Sequence, residues 1–476
     1  MTSCYKCLLG KEFNVRRPFM DTLTDQIINT AHTYHHHVPM YIEYPHKGFW
    51  DSDIGEEVVK QKWKKLKAAP SPFLLYVHLP FCERQCFYCT CHTEITRDYS
   101  RIQRYLTWLF KEIDLYHHYF ESRGIEPEFV EIHLGGGSPT LLKPPEFDAL
   151  ITKLDTLVSL TQLREFAIEI DPRHTSQSQL RYYHDKGINR ISLGIQDFDP
   201  AVQQAINRIQ PPAMIESFLT GQVRDLFAHG INFDILCGLP HQTPQSIRQT
   251  FETIAHMAPD RICLNNLHVN PEFAPHQRFM YDGKQGRPKR LPNNCERKRL
   301  FQEAFQVLTD NGYRRTGYDH FAKPDDDVAR ASTDKTMRWN ALGVTAGAYS
   351  NVLGIGPHST TTLPGCYYQN VYGTQAHAQR LNAGHLPIYR GIVLNRDDHI
   401  RRDVIQTLRT FFSLEYASIE TRHTIAMHDY FSQELKQLRD FCCDGLVELS
   451  EQGIEVTTLG KEFILHICHC FDAYGK

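Results

Sequence analysis

The chain has no excess of basic charge. Its 52 Lys and Arg stand against 55 Asp and Glu, a formal charge of -3 over 476 residues, so it offers no electrostatic footprint for a nucleic-acid partner. Long apolar runs are missing as well. Nothing approaches the roughly 18 consecutive apolar residues of a membrane span, and the opening MTSCYKCLLGKEFNVRRPF holds no run long enough for a signal peptide. A cytoplasmic protein without a membrane span is the expectation. Disorder is excluded too, because 41% of residues are hydrophobic and only 22% charged. No internal repeat is present beyond a β/α alternation. A small-molecule substrate and two or three domains are expected at this length.

Cysteine is abundant, at 14 residues. In a reducing compartment these do not form a disulfide framework, so tightly spaced ones become metal-ligand or redox candidates. The pairs Cys442-Cys443 and Cys468-x-Cys470 lack such spacing and read as buried small hydrophobes. The histidine-rich stretch His32, His35, His36 and His37 has no second ligand group nearby in sequence, and reads as a solvated segment.

From Phe73 to about Asn270, short β-rich runs alternate with longer amphipathic ones, the pattern of repeated βα units on a parallel sheet. Six strands are predicted: FLLYVHL from Phe73, FVEIHL from Phe129, FAIEI from Phe166, RISLGI from Arg190, NFDIL from Asn232 and RICLNN from Arg261. Their near-continuous apolar character suits strands covered on both faces. The fold class is therefore α/β, a partial (β/α)6 barrel whose chemistry gathers at the C-terminal strand ends. A helix is predicted over Ile102 to Phe120, where Tyr105, Leu106, Leu109 and Ile113 recur at helical spacing. The stretch GKQGRPKRLPNN reads as a linker or insertion. From about Arg396 the chain looks helical and closes on GLVELSEQGIEVT, two short strands of a winged-helix-like unit. The expected division is a 1–72 extension, a 73–270 barrel, a 271–394 barrel extension and linker, and a 395–476 helical domain.

The first strand runs directly into Cys82-x3-Cys86-x2-Cys89, with Cys91 two residues on. Three thiolates on one short loop hold three irons of a cubane and leave the fourth free. That open iron chelates the amino and carboxylate groups of S-adenosylmethionine (SAM), so that one-electron reduction cleaves a carbon–sulfur bond. The competing interpretation is a closed Cys4 zinc site using Cys91, but such sites usually pair two separated CxxC knuckles.

After the second strand comes His133-Leu-Gly135-Gly136-Gly137-Ser138, a turn without side chains where backbone N–H groups approach a ligand closely. Polar residues follow at later strand ends: Glu169, Asp171 and Arg173; Gln196 and Asp197; Asp234. Groups leaving successive apolar strands at one rim are expected to converge on a ligand. Arg208 either pairs with a carboxylate there or is a surface arginine.

The motifs YVHLPFCERQCFYCTC, HLGGGSPT, IEIDPR, SLGIQDF, INRIQ, DILCGLP, YDHFAKPDD and RDDHIRRDVI make the chain resemble, over nearly its whole length, the oxygen-independent coproporphyrinogen III dehydrogenases (oxidases) of the radical SAM superfamily. The resemblance implies one [4Fe-4S] cluster on Cys82, Cys86 and Cys89, a C-terminal helical domain over the barrel mouth, and two SAM molecules. By motif, the first SAM would meet Tyr76, Gly136 and Glu169; the second would meet Tyr88, Gly137, Ser138, Gln196, Arg208 and Asp234. Cys91 would serve catalysis outside the ligand set. The implied reaction converts two propionates of a tetrapyrrole substrate, coproporphyrinogen III, to the vinyls of protoporphyrinogen IX. Each cycle starts with hydrogen abstraction by a 5′-deoxyadenosyl radical and ends with loss of CO2 and an electron. A flavodoxin- or ferredoxin-like donor, an electron acceptor and a monomeric enzyme are implied with it. The chain departs from the family at Met40, where an arginine is lost, and in Trp339-Asn340-Ala341-Leu342-Gly343-Val344-Thr345, where aromatic and amide groups are lost. It departs again at His268, which replaces a small residue. Arg338 and His268 are the expected sources of replacement substrate contacts.

Overall fold

The computed structural model describes residues 22–52, 54–67, 71–280, 291–340, 342–347 and 349–475. All six predicted strands form: β1 Pro72–Leu79, β2 Glu128–Gly136, β3 Glu165–Ile170, β4 Arg190–Gln196, β5 Ile231–Cys237 and β6 Arg261–Asn266. They lie side by side in chain order, and each neighbouring pair is parallel. Alternation within each strand sorts its side chains between two environments. In β1, Phe73, Leu75, Val77 and Leu79 join the large core cluster, so Tyr76 and His78 point the other way, into the lumen. By the same parity His133, Glu169, Ser192, Asp234 and Cys263 share the lumen wall.

The core cluster is completed by helices that cover the outer face. The longest, Tyr99–Arg123, starts where the Asp98 side chain accepts from Ser100 N and stops at Gly124 with φ +57°. It buries Ile102, Tyr105, Leu106, Leu109, Ile113, Tyr116 and Phe120 on one stripe.

The sheet extends beyond the six strands. Asn351–Ile355 pairs parallel to β1 on its free side, with Phe73 opposite Asn351 and Val77 opposite Ile355. Thr360–Leu363, Cys366–Asn370 and Ile388–Val393 continue antiparallel from there. At the other edge His320–Ala322 pairs antiparallel with β6, and Arg314–Thr316 with it, giving this sheet twelve strands among the described residues. The 271–394 segment thus contributes sheet edges to the barrel. NVLGI carries too few apolar residues to stand out as a strand by itself, and tertiary pairing decides it. Most of GKQGRPKRLPNN lies outside the described residues.

The described residues form two compact units, one within Ile42–His399 and one combining those up to Tyr41 with those from Ile400 onward. These limits differ from the expected division at residues 72/73 and 394/395. The described residues before Tyr41 join the second unit through pairings within it, among them Tyr34 Oη to Asp444 at 2.7 Å and Tyr41 Oη with Asp472 at 3.0 Å. In that unit Val447–Leu449 and Gly453–Val456 form the predicted hairpin, and Ser413–Glu415 adds a third strand. Cys468 and Cys470 are buried as expected. Cys442 is half-buried and Cys443 exposed, because they close the helix Ser432–Cys443 on its last, solvent-facing turn. His32, His35, His36 and His37 are all exposed.

Candidate active site

The cysteine loop is clamped at its base. Phe81–Cys82 pairs with Glu94–Ile95, and Glu94 N donates to Pro80 O while Thr96 N donates to Cys82 O. Its crown is held from elsewhere in the barrel unit. Phe87 N donates to Ile206 O, Asn207 Nδ2 to Gln85 O at 2.8 Å, and Gln277 Nε2 to Tyr88 O at 3.0 Å. His276 Nε2 meets Cys89 O at 2.7 Å.

The glycine loop lies against this clamp. Gly137 N donates to Leu79 O at 2.8 Å and Ser138 N to Phe81 O at 2.7 Å. A Cβ at Gly137 would stand 2.5 Å from Phe81 O, and one at Gly136, whose φ is +109°, would strike the His78 ring at 2.5 Å. Only glycine allows this approach. Ser138 Oγ then sits 3.5 Å from Cys82 Sγ.

Two guanidinium groups face the thiols. Arg208 Nη1 lies 3.5 Å and Arg173 Nη2 3.6 Å from Cys86 Sγ. Arg208 is buried, not a surface arginine, and its Nη2 donates to Gly194 O at 2.7 Å. Asp171 pairs with Arg173 at 2.6 Å and with Arg208 at 3.6 Å. Burial pushes the Asp171 carboxyl up, but the two arginines outweigh it and hold the group well below the usual carboxylate range.

Burial also pushes the Cys82 thiol up to about 12. Cys89 is raised as well, first by its hydrogen bond to Cys91 and then by burial. Such thiols stay protonated in water and ionise only when a metal replaces the proton. With cationic arginines against Cys86 to offset thiolate charge, the donor set fits an iron–sulfur cluster.

On the lumen side, Glu169 accepts from Gly136 N at 3.0 Å and meets His133 Nε2 at 3.2 Å. Burial within the barrel raises its carboxyl, but His133 and the Gly136 amide more than offset this, and the group is lowered. Its side chain nevertheless retains 37% exposure, because it faces the open lumen. Tyr76 Oη lies 2.9 Å from His78 Nδ1. Gln196 ends β4 at φ +68°, a conformation that costs a non-glycine residue about 1 kcal/mol or more. Asp234 accepts from Ser192 Oγ at 2.7 Å and Asn232 Nδ2 at 2.9 Å, and burial raises its carboxyl.

The structure therefore gathers Cys82, Cys86, Cys89, Gly137, Ser138, Asp171, Arg173 and Arg208 around the cysteine loop, and Tyr76, Gly136 and Glu169 beside it. Gln196 ends β4, whereas Asp234, expected at a strand end, stands in the middle of the adjacent β5, opposite Gly194. Asp197 departs from the expected convergence. It is fully buried and accepts from Gln242 Nε2, Thr250 Oγ1 and Asp199 N, so it ties loops together behind the rim. The Arg338 guanidinium donates to the Met337 and Lys335 carbonyls, and the His268 carbonyl accepts from Gln277. Ala341 lies outside the described residues. Gln277 and His276 carry no motif and are invisible in sequence, whereas Asn207 stands beside Arg208 in INRIQ, where only Arg208 draws attention. His78 has two signals, its place in YVHLPFCERQCFYCTC and its two-residue spacing from Tyr76 on β1.

Residues 76–254 match the Radical SAM superfamily. The chain is 35% identical over 441 residues to the oxygen-independent coproporphyrinogen III oxidase of Pseudomonas aeruginosa (strain PAO1), covering 92% of this chain and 93% of that one. It is 34% identical to the protein of the same name from Escherichia coli (strain K12), covering 93% and 94%. A solved structure described as coproporphyrinogen III oxidase (HemN) from Escherichia coli, a radical SAM enzyme, superposes with a TM-score of 0.85 at 34% identity, covering 91% of this chain and 97% of that chain.

Proposed function

The chain belongs to the oxygen-independent coproporphyrinogen III oxidase family of the radical SAM superfamily, and we propose that the residues gathered around Cys82, Cys86 and Cys89 carry out that family's reaction. The protein is an oxidoreductase of porphyrin and haem biosynthesis that uses a [4Fe-4S] cluster and SAM to convert coproporphyrinogen III to protoporphyrinogen IX by oxidative decarboxylation. When bound, these cofactors supply one-electron reductive cleavage of SAM and a radical able to abstract hydrogen. Each propionate loses a hydrogen atom from its β-carbon, then CO2 and one electron to an acceptor, leaving a vinyl group.

Within this reading Cys82, Cys86 and Cys89 are the cluster ligands. Arg173 and Arg208 offset the thiolate charge at Cys86. Glu169, kept ionised by His133 and the Gly136 amide, receives the ammonium of the first SAM beside Tyr76. Arg208, Asp234, Gln196, Ser138, Gly137 and Tyr88 serve a second SAM. Cys91, exposed and hydrogen-bonded to Cys89, acts in turnover outside the ligand set. A flavodoxin- or ferredoxin-like electron donor, a monomeric state and a cytoplasmic location complete the proposal. No helix among the described residues is long and apolar enough to cross a membrane.

The observation that carries the assignment of roles is the contact of the glycine loop, the buried Arg208 and the half-buried Arg173 with one three-cysteine loop. Anaerobic incubation of reconstituted protein with SAM, reductant and coproporphyrinogen III, followed by mass analysis, tests it. Protoporphyrinogen IX is expected with two 5′-deoxyadenosines per macrocycle. Adenosine product without any change in the tetrapyrrole mass refutes it.

A further inference from the structure

A second group of metal-ligating side chains lies in the barrel unit apart from the cysteine loop. Cys263 on β6 and His320 on the neighbouring antiparallel strand are direct register partners, so pairing sends both side chains to one face. Cys263 Sγ lies 4.0 Å from His320 Nδ1, and Asp319 Oδ1 lies 2.7 Å from the same nitrogen. One sulfur, one nitrogen and one oxygen thus fall within 4.8 Å of one another. All three residues are withdrawn from solvent, Cys263 and Asp319 fully and His320 in large part.

From this geometry we propose that Cys263, Asp319 and His320 bind a single zinc ion, separate from the iron–sulfur cluster. The donor set points to this metal. Mixed thiolate, imidazole and carboxylate ligands suit zinc, whereas hard cations such as calcium and magnesium take oxygen ligands. Ligand atoms of a tetrahedral zinc stand roughly 3.3 to 3.6 Å apart, given bonds of about 2.0 to 2.3 Å. The observed 2.7 and 4.0 Å separations bracket that range, and the Cys263 sulfur lies within 4.8 Å of the Asp319 oxygen, so side-chain shifts of up to about 1 Å complete the site. His320 Nδ1 takes the ion in place of its proton, the ring keeps a proton on Nε2, and Cys263 releases its thiol proton to solvent. The Trp339 ring packs edge-on to the imidazole with centroids 5.2 Å apart and limits its rotation.

Charge favours a cation here. Asp234 is the register partner of Cys263 on the other side, and its donors Ser192 and Asn232 are neutral. A dication beside this wall meets an adjacent carboxylate with no positive side chain among those donors. Three protein ligands leave a fourth position for water or a carboxylate oxygen, the arrangement of an open zinc site.

The test uses the anaerobically reconstituted holoenzyme with its iron content verified. One equivalent of zinc is added, the protein is dialysed, and zinc is measured by mass spectrometry and by zinc-edge X-ray absorption, which does not register iron. About one zinc per chain is expected, with one sulfur near 2.3 Å and the remaining neighbours nitrogen or oxygen near 2.0 Å. Cys263→Ser keeps the iron and loses the sulfur shell, and His320→Ala retains less than a tenth of the zinc. Asp319→Asn serves as a milder third variant, expected to weaken retention at least tenfold. Zinc below a tenth per chain in the wild type with iron intact overturns the proposal. So does a wild-type sulfur shell of two or more atoms, or one unchanged in Cys263→Ser, since either places the ion on other cysteines.

Discussion

Replacing Glu169 by Gln removes a charge while leaving the side chain almost the same size. In the free protein the effect is small: the amide oxygen still accepts from Gly136 N, and at most the His133 contact is lost, about 1 kcal/mol for a neutral hydrogen bond. A cationic ligand group feels the change differently. A charge-assisted hydrogen bond exceeds a neutral one by about 1 to 2 kcal/mol. Because 37% of the Glu169 side chain remains open to the lumen, water screens the charge and the lower half of that range applies. A loss of about 1.4 kcal/mol corresponds to roughly tenfold weaker binding. Equilibrium dialysis of labelled SAM against anaerobically reconstituted protein measures this directly, with four irons per chain as the control for an intact cluster. A change of less than twofold with the iron retained would mean that the Glu169 carboxylate does not meet the SAM ammonium, and the assignment fails.

Serine at Cys82, Cys86 or Cys89 should abolish both iron binding and SAM cleavage, whereas Cys91→Ser should retain iron and impair turnover. Iron loss in Cys91→Ser equal to that in Cys86→Ser would make Cys91 a ligand. Alanine at Gly136 should disrupt the loop, because a side chain there is strained at φ +109° and strikes the His78 ring; unchanged SAM affinity in Gly136→Ala would refute the close-approach argument. Burial lowers His78 to about 4, so between the ordinary histidine value of roughly 6.5 and pH 4 the unfolded chain binds the proton and the folded chain does not. Its contribution is present above pH 6.5 and is lost as pH falls toward 4, by at most about 3 kcal/mol for a side chain this buried. Urea midpoints of wild type and His78→Gln measured across that window should converge at low pH and separate at neutral pH; parallel curves count against it.

The sequence alone determined the parallel strands, the cysteine loop and the polar strand ends, because each is local. Six apolar runs bounded by turns specify six buried strands. Three cysteines within eight residues specify a ligand set, and glycine at 136 and 137 records a backbone approach that no other residue permits. Tertiary structure decided what depends on distant partners. Nothing in NVLGI predicts a seventh parallel strand, since its pairing with β1 joins residues some 280 positions apart. Arg208 reads as surface or site with equal ease until Gly194, Asp171 and Cys86 surround it. Asp197 and Asp234 look alike in sequence, yet Asp197 follows the end of β4 and turns behind the rim, whereas Asp234 lies mid-strand in β5 on the lumen wall. Cys263 and His320 acquire each other only through an antiparallel register between β6 and a three-residue strand, which no spacing in the chain encodes.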